Sequence, residues 1–535
     1  MSGKTGDDYM QATDVLIVGA GPTGLTLANE LKRQGIDALV IEKKPSLSST
    51  SKALGMMARS LELFQKLGIS AELITTGLKA KGAHAYSEGK KLAHITFGDE
   101  LETPFPYVLM IPQQDTERVL YHHFQQQAGK VCWEHTLLAL QQHEGHVDAV
   151  IQNAEGQEET WQVKWLIACD GAHSTVRKQM DISFAGTAFK QTFALADVKL
   201  QGEVPQDEIM AHVNRGNVIA FFPMPTKEHR IMMSREGLKE EGDVSETELQ
   251  QMIEEIGIQA RLAAAPSWTS RFHVHQRKVD KSVHQRVILA GDAAHIHSPL
   301  GAQGMNTGIQ DAFNLGWKLS LVVKGDAETG LLDSYEAERQ PIWEELLSLT
   351  ERATQMVLTR RSALVGLRRV AGPILAKNSR VRTRALRTLA QIGIHYPNSP
   401  IHTQQTKHSN SPASGARAPD AKLYTHTGEK IPLFEQLRDP RHTLIVYTKD
   451  EERIGKVTER LRDYQDTFYL LPVLAANKVG ETNAALYDIE EDFARSYQVK
   501  GEALFVVRPD GYLSVREDSL HPVYLLDYFR GIYNT

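Results

Sequence analysis

Between Asp14 and Lys43 the hydrophobic pattern changes twice. Val15-Leu16-Ile17-Val18 is a continuous apolar run, the pattern of a strand buried on both faces. A glycine-rich turn follows, then a helical spacing over Leu25 to Arg33, then a second buried run, Ala38-Leu39-Val40-Ile41. Strand, turn, helix and strand within about 30 residues make a βαβ unit. Leu54 to Gly68 has helical spacing, with Gly68 placed to cap it. Ala83 to Ile167 mixes short strands with a helix around Asp115 to Gln127. Phe193 to Arg235 reads as strands with turns at Arg215-Gly216 and Pro223 to Thr226, which suits a substrate-binding sheet. Val287 to Ala290 is another buried strand, and Gly304 to Val323 a helix. Asn398 to Asp420, rich in Ser, Pro, Asn and Gly, reads as a linker. Beyond it, strands are expected at Thr443 to Tyr447 and Ala503 to Val507. Arg508-Pro-Asp-Gly511 supplies a turn, as a small α/β domain requires.

The chain has 535 residues, 60 Lys plus Arg against 66 Asp plus Glu, and a formal charge of −6. That length allows several domains, and the mild acidity gives no electrostatic footprint for nucleic acid. Two cysteines, Cys132 and Cys169, exclude a disulfide scaffold or a Cys-rich metal cluster. The polar start, Met1 to Thr13, does not read as a signal peptide, and no apolar run reaches the roughly 18 residues that span a bilayer. The expectation is a cytoplasmic protein with no integral membrane segment. Arg352 to Ile392 holds ten Lys or Arg and no acid. It reads as a solvated face balanced by acidic surface elsewhere, or as a basic face for an anionic partner.

Three segments carry the chemistry. Gly19-Ala-Gly21-Pro-Thr-Gly24 is a G-x-G-x-x-G between a buried strand and a helix, the context that motif needs. Its glycines allow a tight turn and close approach of a pyrophosphate, which the helix N-terminus then attracts. Glu42 ends the second strand, where a carboxylate accepts hydrogen bonds from ribose hydroxyls and disfavours a 2′-phosphate. The site is therefore read as holding the ADP part of FAD or NAD. The other segments are Cys169-Asp170-Gly171-Ala-His-Ser174-Thr-Val-Arg177, and Gly291-Asp292-Ala-Ala-His295 continuing to Pro299-Leu-Gly301-Ala-Gln-Gly304-Met305-Asn306. His295 and His297 have no companion ligands nearby in sequence, so no metal is expected.

In this order the three segments resemble the fingerprints of the single-component FAD-dependent aromatic hydroxylases, the group A flavoprotein monooxygenases. The resemblance runs over residues 14–345 and includes Asp333-Ser-Tyr335-Glu-Ala-Glu338-Arg339-Gln-Pro341. Gly415-Ala-Arg-Ala-Pro419-Asp420 with Arg508 to Gly511 resembles the thioredoxin-like extension of the phenol and polyketide hydroxylase branch. The implied fold is α/β: a Rossmann-type FAD-binding domain (1–185 and 275–397, with a helical extension) is interleaved with a substrate-binding β-sheet domain (186–274, with parts of 80–112). A linker (398–417) and a thioredoxin-like domain (418–535) follow. Lacking cysteine, that last domain cannot exchange disulfides, so a structural or homodimer-forming role is expected of it.

The resemblance also implies site residues. Asp292 accepts a hydrogen bond from the flavin ribityl chain, or caps a helix, or both. Gly301 and Gly304 let backbone approach a flat ring. The helix beginning near Met305 points its positive end at the flavin pyrimidine edge, with Pro299 near the reactive edge and Asn306 near the ring carbonyls. Asp170 matches a position used in FAD and nicotinamide binding, or caps the turn before Ser174. Arg59 matches an arginine beside the cofactor, or pairs with Glu62. Gln113 matches a glutamine on the flavin chain. Lys52 stands where the family often has an arginine that stacks on or gates the flavin; lysine keeps the charge and loses the planar fork.

The implied activity is a monooxygenase. NADH or NADPH reduces FAD, oxygen adds to give a flavin C4a-hydroperoxide, and a phenolic or polyketide-like aromatic ring attacks it. Catalysis is flavin-mediated, with His212, Phe222, Met224 and Arg235 as candidate pocket residues. The alternatives are a Baeyer–Villiger-type oxygenase acting on a cyclic ketone, and a flavin-binding protein without oxygenase turnover. A halogenase is disfavoured, because no Trp-x-Trp-x-Ile-Pro segment occurs.

Overall fold

The computed structural model describes residues 11–48, 53–98, 100–214, 216–235, 238, 242–298, 303–358, 378–402, 412–480 and 482–534. Its first sheet has five parallel strands in the spatial order Val287–Leu289, Glu158–Ala168, Gln11–Val18, Ala38–Glu42 and Val131–Trp133. Val15, Leu16 and Ile17 are fully buried, as a two-sided strand requires. Register places Val18 beside both Ala168 and Ile41, and Ala168 beside Leu289. The three glycine-bearing segments and Glu42 therefore leave the sheet together, at its carboxyl edge. Ligands bind at that edge in open α/β sheets.

The expected helix over Leu54 to Gly68 is shorter than its spacing suggested. Gly55–Met56 is a strand paired with Leu109–Met110, and the helix is Ala58–Lys66. The cause is Asn306: its amide accepts from the Met57 N–H at 2.9 Å and donates to the Gly55 carbonyl at 3.0 Å, so these groups are not available to a helix.

A second sheet of eight strands runs His295–Ile296, Trp268–Lys278, Ala185–Val198, His229–Ser234, Asn217–Pro223, Glu208–Asn214, Gly82–Ser87, Lys90–Thr96. Its pleat separates two faces. Met210, Ile219, Phe221, Ile231 and Met233 face the helix Glu246–Glu255, packing on Leu249, Met252 and Ile253. Ile209 and Phe222 face the other way and pack against the core of the first sheet.

A third, seven-stranded sheet lies in the C-terminal part. Its centre pairs His442–Thr448 in parallel with Phe468–Ala475 and antiparallel with Ala503–Val507, which continues into Leu513–Glu517. Arg508 to Gly511 is the expected turn: the Gly511 N–H donates to the Arg508 carbonyl at 2.8 Å, with Gly511 at φ +82°. Two of the turn's side chains do more than make a turn. Arg508 reaches Glu338 at 2.6 and 2.9 Å and Asp510 at 2.5 and 3.0 Å, and Lys318 reaches the same Glu338 at 2.8 Å. Arg508, Glu338 and Lys318 have no exposed side-chain surface. Burial works against the Glu338 charge, but Arg508 and Lys318 outweigh it and hold its carboxyl well below the usual range. Burial also brings Lys318 down to about 8.

The linker expectation is corrected at its C-terminal end. Residues 403–411 lie outside the described residues, but Arg417 is buried and forks onto Glu62 at 2.5 and 2.8 Å. This segment is packed interface because its arginine neutralises a carboxylate of the first domain. In the basic stretch, residues 359–377 lie outside the described residues. On the helix Ser379–Leu389, Arg382 pairs with Glu100, and Arg387 with Glu102 at 2.7 Å, which is acidic surface supplied from elsewhere in the chain. No helix among the described residues is long and apolar enough to cross a membrane.

The buried charges generate two predictions. Arg508→Met leaves Asp510 without its charged partner and Glu338 with Lys318 alone, and should cost about 3–5 kcal/mol in chemical unfolding; a loss below about 1 kcal/mol would contradict the network. The Glu338 carboxyl is depressed in the fold, so its contribution is complete above its unfolded value of about 4.3 and fades as pH falls below that. The difference in unfolding midpoint between wild type and Glu338→Gln should therefore be constant from pH 7 to 5 and narrow toward pH 3. A difference that does not change with pH would contradict this.

Candidate active site

The first helix, Pro22–Arg33, follows the glycine turn directly, and no side chain caps its N-terminus. Its three glycines divide by what surrounds them. A Cβ on Gly19 would lie 2.4 Å from the Cys169 carbonyl oxygen, and its φ of +106° suits glycine alone. A Cβ on Gly24 would lie 2.0 Å from the Gly19 carbonyl. A Cβ on Gly21 would meet nothing within 4 Å. Two of the glycines therefore serve internal packing, and the third borders open space at the end of a helix. An anion is drawn to such a place.

The other two segments close on the same point. Cβ atoms on Gly291 and Gly308 would lie 2.5 and 2.3 Å from the Thr23 hydroxyl, so the Gly-Asp turn and the helix Gly304–Lys324 both pack on the first turn of Pro22–Arg33. Arg177 of the Asp-Gly segment donates to the Ala293 carbonyl of the Gly-Asp segment at 2.9 Å. Asp311 anchors the assembly from the long helix. It accepts from the Gly291 N–H at 3.2 Å, His295 Nε2 at 2.6 Å, Arg339 Nε at 2.7 Å and Trp343 Nε1 at 3.1 Å. Burial opposes its charge, yet Arg339 and His295 prevail and hold its carboxyl far below the usual range. His295 is thus a buried hydrogen-bond partner of Asp311, with no exposed side-chain surface.

The individual residues sort as follows. The Glu42 carboxylate accepts from the Ala20 N–H at 2.9 Å and the Lys44 N–H at 3.2 Å, at the mouth of the glycine turn. Asp170 caps the helix Thr175–Gln179 through one oxygen, 2.6 Å from the Thr175 N–H. Its other oxygen is buried with no partner among the described residues. Gln113 begins the helix Gln113–Gln126 and bonds Glu117 at 2.8 Å. Asp292 lies exposed beside buried Gly291. Gly304 opens the long helix; among the described residues no side chain caps its N-terminus and none comes within 4 Å of where a Cβ would stand. Met305 packs partly buried against the first core. Lys52, Pro299 and Gly301 lie outside the described residues.

Four expectations are corrected. Arg59 takes the second of its two expected roles, the pair with Glu62 at 3.0 Å, and not the place beside the convergence: it also donates to the Asp510 carbonyl at 2.6 Å and lies over Tyr512, against the C-terminal sheet. Asn306 is fully buried and ties Gly55, Met57 and Ser60 to the long helix, so its amide is turned away from open space. His212 and Arg235 lie on the wrong face of the second sheet. His212 stacks on Tyr86 at 4.3 Å on the face that packs against Glu246–Glu255, and burial brings its imidazole down to about 4. Arg235 pairs there with Glu255 at 3.5 Å. Phe222 and Met224 do pack toward the first domain. Strand alternation would have separated these residues, since His212 shares its face with Met210 and Phe222 shares its face with Ala220.

Sequence reasoning missed Arg230. Its guanidinium forks onto Asp197 with two 2.7 Å bonds, donates to the Ala53 carbonyl at 3.4 Å, and lies 5.0 Å from the Trp268 ring. It brings a buried charge pair to the face that looks toward the first domain. Around it that face is apolar: Phe193, Leu195 and Met232 are buried, with Phe222, Trp268 and Phe272 half-buried against them.

A parallel sheet with a glycine turn, an acidic residue ending its second strand and, among the described residues, two helix N-termini without a side-chain cap at one edge has the geometry of a dinucleotide-binding site. The family model described as "FAD binding domain" matches residues 12–350, and the chain belongs to that family. It is 31% identical over 517 residues to the pentachlorophenol 4-monooxygenase of Sphingobium chlorophenolicum, covering 94% of this chain and 93% of that one. It is 32% identical over 515 residues to the 6-methylpretetramide 4-monooxygenase of Streptomyces rimosus, covering 94% and 90%. Among solved structures, the anhydrotetracycline hydroxylase of Streptomyces rimosus superposes with a TM-score of 0.79 at 28% identity, covering 98% of this chain and all of that one. The protein is an FAD-dependent monooxygenase.

The glycine geometry predicts opposite outcomes for two similar changes. Gly21→Ala should fold with stability within about 1 kcal/mol of wild type and lose FAD, read as flavin content after gel filtration. Gly24→Ala should fail to fold or lose several kcal/mol, because its Cβ has no space. Equal behaviour of the two would contradict this division of roles.

Proposed function

We propose that this enzyme hydroxylates a phenolic or polycyclic aromatic substrate, held between the FAD site and the apolar face of the second sheet. The carrying observation is that face. Phe193, Phe222, Trp268 and Phe272 gather on the side turned toward the first domain, with the Arg230–Asp197 pair among them. Flat, electron-rich rings pack on aromatic walls, and a guanidinium held beside them attracts a phenolate oxygen. The substrates in the two relatives' names, pentachlorophenol and 6-methylpretetramide, support that chemistry.

The residues divide the work. Gly21 and the N-terminus of Pro22–Arg33 take the pyrophosphate of FAD. Glu42 takes the ribose hydroxyls, and its charge repels a 2′-phosphate at that position. The unpartnered Asp170 oxygen and Asp292 serve the sugar-alcohol chain, with Gln113 beside it. The uncapped N-terminus at Gly304 faces the pyrimidine edge and stabilises negative charge there. When bound, FAD accepts a hydride from NADH or NADPH and activates oxygen. The apolar wall excludes water from that chemistry.

We assign the C-terminal sheet to a thioredoxin-like domain on its mixed central strands. With no cysteine in it, its role here is structural, exercised through Arg508 and Arg417.

The test is oxidation of NADH and NADPH by the FAD-loaded enzyme, with and without phenols, polycyclic aromatics and cyclic ketones. Product mass and peroxide are followed. The expected result is stimulation by an aromatic compound and one added oxygen on its ring. Oxygen inserted only into a ketone, or peroxide as the sole product with every aromatic tried, would overturn the reading.

A further inference from the structure

Away from the flavin site, the edge of the second sheet brings together two histidines and a carboxylate that lie far apart in sequence. The hairpin Gly82–Ser87 and Lys90–Thr96 sets His84 directly across from His94. Glu208–Asn214 runs parallel to the first of these strands and sets Glu208 beside Gly82. The two imidazoles stack with centroids 4.1 Å apart and planes 4° from parallel. Both turn Nε2 toward one carboxylate: His84 lies 2.5 Å from one Glu208 oxygen and His94 lies 2.9 Å from the other. The three donor atoms lie within 4.8 Å of one another. Gly82 makes this possible. A Cβ there would lie 2.9 Å from a Glu208 oxygen and 2.6 Å from the Ile95 carbonyl, so any side chain at 82 would push the carboxylate off the two rings.

We propose that His84, His94 and Glu208 bind a first-row divalent cation, for which Zn²⁺ is the natural probe. Two imidazoles and one carboxylate suit zinc, and zinc in such a set keeps a further position for water. Bonds of about 2.0–2.2 Å need the donors roughly 3–3.5 Å apart in a tetrahedral set. The rings therefore open slightly from their contact with Glu208 as the cation enters. His94, 38% exposed on the outermost strand, provides both the path and the freedom to move. A cation bound at Nε2 requires each ring to carry its proton on Nδ1, and it takes the place of the Nε2 contacts to Glu208.

The consequence is mechanical. The bound cation clips the edge hairpin to Glu208–Asn214, and it does so on a strand whose Ala83 packs against the core of the flavin domain. A clip that joins segments more than 100 residues apart limits the opening of an edge that is otherwise held by one ladder. A second trio, His143, His146 and Asp148, also has the ligand types, but it sits within a single hairpin turn and joins no distant segments. It is the rival site for the same cation, and His143→Gln separates the two.

The experiment titrates ZnCl₂ into the tag-free, FAD-loaded full-length enzyme by calorimetry and follows the unfolding temperature. Co²⁺ absorption reports the ligand field. One site is expected, with affinity falling by on the order of tenfold or more in His94→Gln and Glu208→Gln and unchanged in His143→Gln. Zn²⁺ should raise the unfolding temperature of wild type and leave that of His94→Gln unmoved. The proposal is overturned by any of three results: no saturable binding to wild type, equal affinity in His94→Gln, or loss of binding in His143→Gln. If Glu208→Gln does not fold, His94→Gln decides alone, because its side chain lies on the exposed edge strand. Flavin content and NAD(P)H oxidation are measured in parallel, so a failure of this site is distinguishable from a failure of the monooxygenase assignment.

Discussion

At the carboxyl edge of the parallel sheet, backbone must meet backbone more closely than any side chain allows. Gly19 lies against the Cys169 carbonyl, Gly24 against the Gly19 carbonyl, and Gly291 and Gly308 against Thr23. These contacts bring the strand end, the first helix, the Asp-Gly segment and the Gly-Asp segment into one small volume. If any one were relaxed, the helix N-terminus at Gly21 and the one at Gly304 would no longer share an edge. Gly21, where a Cβ would meet nothing within 4 Å, borders open space at a helix N-terminus, a place that attracts an anionic group such as a pyrophosphate.

The second dependence is electrostatic. Asp311 stands behind the Gly-Asp turn, and Arg339 stands behind Asp311. One residue earlier on the same helix, Glu338 takes Arg508 and Lys318. Neighbouring residues of one helix thus hold the Gly-Asp turn on one side and the Arg508 turn of the C-terminal sheet on the other. Buried pairs of this kind add little net stability over apolar packing, but breaking one leaves a charge without a partner. Their effect is specificity: the turn Arg508 to Gly511 docks in one place. Arg59 and Arg417 extend the same contact to Glu62, which is why neither is free for a ligand.

The second sheet shows how a pleat assigns function. Phe222 and His212 occupy neighbouring strands, yet one faces the flavin domain and the other faces the helix Glu246–Glu255. Residues two apart share a face, and a shift of one residue reverses it. The apolar wall, the Arg230–Asp197 pair within it and the His84, His94, Glu208 cluster on the opposite face all follow from that alternation together with the cross-strand register.

The βαβ unit, the buried strands, the long helix from Gly304 and the turn at Arg508 were legible in the sequence, because each depends on neighbours within a few residues: apolar period, glycine turns and helix ends. So was the flavin class, since its three segments are short, ordered and demanding in residue type. Tertiary structure decided the rest. Asn306 shortened a helix by taking backbone groups from a segment about 250 positions away. Glu338 and Arg339 stood in a recognisable segment, but their partners, 170 residues ahead and 28 behind, could not be read from it. Local patterns specify which element forms. The partner of a buried charge, and the face of a sheet that meets a cofactor, are set by register and packing between distant segments, which residue spacing along the chain does not encode.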